Sequence, residues 1–219
     1  MSRILVLAPH PDDEAIGCGG ALLRHGQQED VVQVVFLTSG EKGGHGRAEA
    51  DTKSRREGEA RSAAHILGLQ SIEFWGLPDG GVRASRAAVA RLQAKLDDFK
   101  PDTVYVTHDR EMHSDHRGAA RLLKAALRAV RGNKHTKAWT PAWTPMVLGY
   151  EIWTPLPKFH VIVDISPFLK RKLRAVRAYR SQCAVVGFVE AVRGLNRYRG
   201  EMHSWPGGNY AEAFIRLKI

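Results

Sequence analysis

Two short stretches hold the side chains with the most chemistry: Pro9-His10-Pro11-Asp12-Asp13-Glu14 and His113-Ser114-Asp115-His116. In both, metal-capable groups stand three residues apart, His10 with Asp13 and His113 with His116. A catalytic zinc site takes about three protein ligands from His, Cys, Asp and Glu and keeps a further position for water. Two imidazoles and one carboxylate leave the ion a residual positive charge, which brings the pKa of a bound water towards about 7 and polarises a carbonyl. Asp12 neighbours the ligands without having to be one, so it can take that water's proton as general base. A His left unligated can donate to a developing oxyanion, and Asp115 can set its tautomer. Singly, each residue has a plainer role, as a locally bonded His or a helix-capping acid. The coincidence of two such clusters argues for a metal-dependent hydrolase.

The elements around the clusters decide whether they can meet. Residues 3–8 form a nearly all-apolar run, the mark of a buried parallel strand, and the abrupt change to His and three acids marks the loop beyond its C-terminal end. Ligands of open α/β sheets bind at that edge. Residues 103–106 form a second such strand, leading into the loop 107–116. A helix follows, its apolar Ala119, Leu122, Leu123, Ala126, Leu127 and Val130 at helical spacing. The same unit therefore occurs twice, and parallel strands bring both loops to one sheet edge.

Between the two units the pattern predicts helices over 13–25, 52–67 and 87–99 and strands over 31–38 and 72–75. Gly17, Gly19 and Gly20 allow close helix–strand approach, and the glycine-rich loop 39–46 is a flap over the site. Residues 132–146 read as an irregular connection. Strands over 147–153 and 160–164, one helix over 167–182, another from beyond Cys183 to about Arg199, and a last strand over 213–217 complete the chain. Trp139, Trp143 and Trp153 suggest an interface or a pocket wall. No internal repeat or domain boundary is evident, so residues 1–219 are read as one domain. The pattern predicts an α/β fold with a mostly parallel central sheet.

Composition narrows the classes further. The chain has 219 residues, 43% of them hydrophobic, enough for one sizeable core. Cys18 and Cys183 make no disulfide framework and read as free thiols. The short N-terminal apolar run does not read as a signal peptide, and no apolar stretch reaches the roughly 18–20 residues of a membrane span. A soluble, cytoplasmic protein is expected. The net charge of +10 is spread over amphipathic helices instead of a basic arm, which fits a solvated surface or an attraction to phosphate. Two other classes fit the sequence less well. A nucleotide-binding oxidoreductase needs a GxGxxG fingerprint, and the spacing fails around Gly17-Cys18-Gly19-Gly20. A basic nucleic-acid-binding protein would need a recognition motif that the sequence lacks.

The stretch from Pro9 to Glu14, with Gly40-Glu41, Arg56 and Glu59 in an Ala-rich helix, Pro78-Asp79-Gly80, His113 to His116 and Tyr210 to Phe214, resembles the zinc-dependent N-deacetylases of the LmbE/PIG-L family. The likeness runs through most of the chain. It implies that the α/β fold is a Rossmann-like three-layer fold, and it implies deacetylation of an N-acetylglucosamine conjugate, with one zinc ion per chain held by His10, Asp13 and His116. It makes Asp12 the base, His113 the oxyanion-stabilising residue and Asp115 its orienting partner. Ser114 stands where members commonly have Pro, at a position without a chemical role. Arg56, Asp79 and Arg199 are expected near the sugar, Arg56 equally as an ion-pair partner of Glu59 or Glu14. The expected partner is an amino-sugar small molecule or glycoconjugate. The aglycone and the oligomeric state, a homo-oligomer included, are left open.

Overall fold

The computed structural model describes residues 1–132, 143–202 and 207–218, the side chains of 129–132 excepted. Its spine is β1 (Arg3–Ala8), whose alternate side chains serve two different cores. Ile4, Val6 and Ala8 pack with one hydrophobic cluster and Leu5 and Leu7 with the other. β2 (Val31–Phe36), β3 (Ser71–Phe74), β4 (Thr103–Thr107) and β5 (Met146–Tyr150) join it in the order β3-β2-β1-β4-β5, all parallel. Val32, Val34 and Phe36 of β2 face the first core and Val35 the second, repeating the two-residue alternation of a strand covered on both sides.

Helices supply the covers. α1 (Asp13–Gln27), α2 (Glu49–Leu67), α5 (Leu169–Ala178) and α7 (Phe188–Glu201) contribute to the first core. α3 (Arg86–Phe99) and α4 (Ser114–Gly132) contribute to the second. The expected three layers are therefore present, and the sheet stays open. α1 lies close against its neighbours because it can: a Cβ on Gly17 would stand 2.2 Å from the Tyr150 ring, and one on Gly20 would stand 2.4 Å from Ile165.

The last two strands depart from the parallel pattern. β6 (Val161–Asp164) and β7 (Ala211–Arg216) pair antiparallel, and β7 also pairs antiparallel with β5, giving the full order β3-β2-β1-β4-β5-β7-β6. The expected helix over 167–182 is broken. A 3-10 turn (Ser166–Phe168) leads into α5, and Tyr179, with φ −79° and ψ 61°, separates it from the four-residue α6 (Arg180–Cys183). Most of the expected irregular connection, with Trp139, lies outside the described residues. No helix among the described residues is long and apolar enough to cross a membrane.

β1 and β4 are neighbours, and the chain leaves them in opposite directions, to β2 and β3 on one side and to β5 on the other. This is the topological switch point of the sheet, where a crevice forms beyond the strand ends. The loops carrying His10 and His113 both open into it.

Candidate metal centre

The first loop places its acids by an unusual turn. Asp12 occupies the N-cap position of α1 with φ 128° and ψ −29°, and its carboxylate makes no capping hydrogen bond. Such a conformation costs on the order of 1–3 kcal/mol and persists only where the surroundings impose it. Arg56, reaching over from α2, donates to Asp12 Oδ2 at 3.0 Å, to Pro11 O at 2.6 Å and to Gly40 O at 3.0 Å. Glu14 accepts the Asp12 N–H at 3.2 Å and the Tyr179 hydroxyl at 2.5 Å. Arg56 is 4% exposed and lines the cleft, and its ion-pair partner is Asp12 and not the Glu59 or Glu14 anticipated from the sequence.

Asp13 spans the two histidine loops. Its Oδ2 accepts the His10 N–H at 2.9 Å and lies 3.3 Å from His10 Nδ1, while its Oδ1 lies 3.4 Å from His116 Nε2. The rings of His10, His113 and His116 stand 4.8 to 5.4 Å apart between centroids, and one nitrogen from each lies within 4.8 Å of the others. His116 is 1% exposed, yet neither of its ring nitrogens has a hydrogen-bond partner. Buried polar atoms are ordinarily satisfied, and a buried imidazole with two free nitrogens beside a carboxylate fits a metal ligand.

The electrostatics point the same way. Burial acts against charged imidazoles, but Asp115, Asp13 and Asp79 raise His10 well above the ordinary histidine range, and Asp13 carries His116 up to about 9. Burial also acts against the Asp13 carboxylate, yet the His116 charge, and then the close approach of the His10 and His116 rings, hold it well below the usual carboxylate range. The carboxylates thus demand positive charge between His10 and His116, the demand a divalent cation meets. Burial pushes Asp12 up to about 7, with the Arg56 guanidinium restraining the rise. His113 moves down, through burial and then the charges of His10 and His116.

Asp115 is placed differently from the expectation. Its carboxylate faces His10 Nε2 at 3.3 Å and accepts the N–H groups of Gly80 at 2.7 Å and Val82 at 3.1 Å. Its link to His113 is made by the main chain, with the Asp115 N–H 3.2 Å from His113 Nδ1. Asp79 also faces His10 Nε2, at 3.2 Å, and accepts the Lys42 N–H at 2.9 Å. Glu41 accepts the Asp79 N–H at 2.9 Å, so the glycine-rich loop is tied at its start to the loop after β3.

Two supporting residues were not anticipated. Glu111 lies 3.6 Å from His116 Nδ1 and accepts the N–H groups of Ile152 at 2.7 Å, Trp153 at 3.2 Å and Thr154 at 3.3 Å. Its place inside the second loop was the available signal. Tyr179, behind Glu14, carried none. Arg199 is committed elsewhere: it pairs with Glu151 and donates to Leu156 O at 2.8 Å, and it does not line the cleft.

A cleft of about 400 Å³ opens over the centre. His10, Asp12, His113 and His116 form its floor, Lys42 and His45 one rim, and Ile152, Trp153 and Phe188 an apolar wall. Trp153 is 44% exposed and serves as the wall anticipated for one of the tryptophans, whereas Trp143 donates to Pro101 O at 3.1 Å.

Comparison with known proteins places this architecture. The family pattern described as "PIG-L: GlcNAc-PI de-N-acetylase" matches residues 5–127, more than half of the chain. The probable N-acetyl-alpha-D-glucosaminyl L-malate deacetylase 2 of Bacillus anthracis is 27% identical over 190 residues, 83% of this chain and 82% of the relative. Among solved structures, the conserved protein TT1542 of Thermus thermophilus is 33% identical with a TM-score of 0.85, covering 100% of this chain and 98% of its own. The 4-carboxy-2-hydroxymuconate hydratase of Pseudomonas putida KT2440 also reaches a TM-score of 0.85, at 25% identity over 100% of this chain and 97% of its own.

Proposed function

The chain belongs to the PIG-L family, and from that premise we propose that it removes the N-acetyl group from an N-acetylglucosamine conjugate with one zinc ion. The observation that carries the reading is the division of labour between two adjacent carboxylates. Asp13 lies between His10 and His116, while Asp12 is turned away to Arg56 and lines the same cleft. His10, Asp13 and His116 would hold the ion, which when bound supplies Lewis acidity at the amide carbonyl and makes water a stronger acid.

Asp12 takes a proton from the water that attacks the acetamide carbon. A carboxyl that burial brings to about 7 is suited to this near neutral pH. His113 donates to the oxyanion. The Asp115 N–H at its Nδ1 favours the tautomer protonated at Nε2, so a neutral ring can serve as donor. The tetrahedral centre then collapses: the C–N bond breaks, acetate leaves, and the proton held by Asp12 passes to the departing amine. Arg56 and Glu14 fix Asp12, Asp115 and Asp79 fix His10, and Glu111 fixes His116.

The test is acetate release by the zinc-loaded protein from a panel of N-acetylglucosaminides, with Asp12→Asn as control. Release that vanishes in the variant supports the reading. The hydratase of the same fold sets a second reading, addition of an Asp12-activated water to a carbon–carbon double bond of a small carboxylate. Hydration of 4-carboxy-2-hydroxymuconate without acetate release from any glucosaminide would favour it.

A further inference from the structure

The candidate metal centre is built from acidic and imidazole side chains and leaves the net charge of +10 without a role. Part of the basic charge is gathered in one groove. A groove of about 760 Å³ runs between α2 and the α5–α6 segment, with Arg55, Arg174, Arg177 and Arg180 in its lining. Its one lining carboxylate, Glu59, is already occupied: it accepts the Ser181 N–H at 2.8 Å, the Ser181 hydroxyl at 2.6 Å and Arg55 Nε at 3.3 Å. Arg174, Arg177 and Arg180 are exposed and form no ion pair among the described residues.

The groove lies near the catalytic cleft along the same face. A cavity of about 230 Å³ lies between them; it shares Gly43 and His45 with the cleft and Arg55 with the groove. No acidic residue lines this intermediate cavity, whereas Arg47 and Arg55 do. From the cleft outward the basic lining residues are therefore Lys42 and His45, then Arg47 and Arg55, then Arg174, Arg177 and Arg180. Arg55 is paired with Glu59, whereas Arg174, Arg177 and Arg180 carry guanidinium groups without counter-ions among the described residues, and such groups match the forked geometry of phosphate and carboxylate.

We infer that the substrate bears an extended anionic group beyond its acetamido sugar, phosphate- or carboxylate-based, and that this group lies along the 42–47 loop in the arginine groove between α2 and the α5–α6 segment. The inference rests on the deacetylase reading for the position of the sugar. Opposite charge at the two ends of the path would orient the substrate, with the acetamide at the acidic metal centre and the anion at the basic end. The shared lining residues that lead from the cleft to the groove favour the substrate's own tail over a separate polyanion such as nucleic acid.

The experiment uses the zinc-loaded protein and three probes: methyl N-acetylglucosaminide, N-acetylglucosamine 1-phosphate and UDP-N-acetylglucosamine. It compares the wild type with an Arg174→Gln/Arg177→Gln variant, whose exposed helical positions accept Gln without loss of fold. The expected result is a preference for the anionic probes, greatest for the longest. In the variant, KM for that probe rises about tenfold, the scale of one charge-assisted hydrogen bond, while the neutral probe stays within about twofold. Equal kcat/KM across the probes, or an unchanged KM in the variant, overturns the inference and leaves the deacetylase reading standing.

If no probe releases acetate, the deacetylase reading fails, and equilibrium binding of UDP-N-acetylglucosamine decides the groove on its own. Weaker binding in the variant supports an anion site, and unchanged binding overturns it. A variant that loses affinity for single-stranded DNA while its KM is unchanged assigns the groove to nucleic acid and overturns the inference.

Discussion

Arg56 Nη2 lies 3.0 Å from Asp12 Oδ2, a guanidinium and a carboxylate paired in the largely buried lining of the cleft. The pair restrains the rise that burial imposes on Asp12. Replacing Arg56 by Gln removes that restraint, so the Asp12 pKa moves further up. A base must be deprotonated to act, and the acid limb of kcat/KM against pH therefore moves to higher pH in the variant. A pH–rate profile of both proteins checks the direction.

The two late histidines should separate cleanly. His116→Ala is expected to lose the metal, because His116 offers two unsatisfied nitrogens beside Asp13. His113→Ala is expected to keep it and lose on the order of 100- to 1000-fold in kcat, as when one oxyanion donor is removed. Metal content by elemental analysis, beside acetate release, tests both. The reverse pattern would exchange their roles.

Glu111 joins His116 to the segment carrying the cleft wall. Glu111→Ala leaves the N–H groups of Ile152, Trp153 and Thr154 without their acceptor and should cost on the order of 3 kcal/mol in urea unfolding. Metal affinity should also fall about 10- to 100-fold, as is usual when a ligand loses its outer partner. A competition titration with a chelator measures the second effect.

Lys172 and Glu212 form a fully buried ion pair at 2.6 Å, with Asn196 on Lys172 at 2.8 Å and the N–H groups of Gly20 and Ala21 on Glu212 at 2.8 Å each. Lys172→Met should destabilise by about 3–5 kcal/mol, because it leaves a buried carboxylate without its cation. Adding Glu212→Gln should recover part of that loss in a double-mutant cycle, since the uncompensated charge is then gone.

Asp30 accepts the Ser2 N–H at 2.6 Å and faces His25 Nδ1 at 2.8 Å; burial opposes its charge, but these bonds and the His25 charge hold its pKa below the ordinary 3.8. A folded-state pKa below the unfolded one gives stabilisation that is complete above the unfolded value and is lost as pH falls through the folded one. The stability difference between wild type and Asp30→Asn should be largest above about pH 5 and should shrink below about pH 4. Thermal unfolding at several pH values gives the comparison.

The parts of this molecule that were legible in the sequence are those set by local pattern. The apolar run of β1, the two His/Asp loops and the helix starts beyond them follow from periodicity and composition, and together they locate the cleft. Tyr179 shows what pattern cannot reach. Residues 167–182 have helical spacing throughout, yet the backbone turns at Tyr179, whose hydroxyl reaches Glu14 behind the metal centre, and a tertiary bond outweighs local propensity. Arg56 is the same case on a smaller scale, since its choice of Asp12 over Glu14 or Glu59 depends on how α2 crosses the sheet. Arg199 is a basic residue near the right part of the chain that proves to be structural, because Glu151 claims it.

β7 separates β5 from β6 but follows both in the chain. During synthesis β5 therefore has an open edge until residues 211–216 emerge, and β6 has nowhere to dock. The same strand brings Glu212 to the main chain of α1, the helix that begins with Asp13. Completion of the candidate metal centre is thus tied to the arrival of a strand synthesised about a hundred residues after His116, and a nascent chain stalled before β7 would hold His10, Asp13 and His116 in sequence without the bonds from Gly20 and Ala21 of α1 to Glu212.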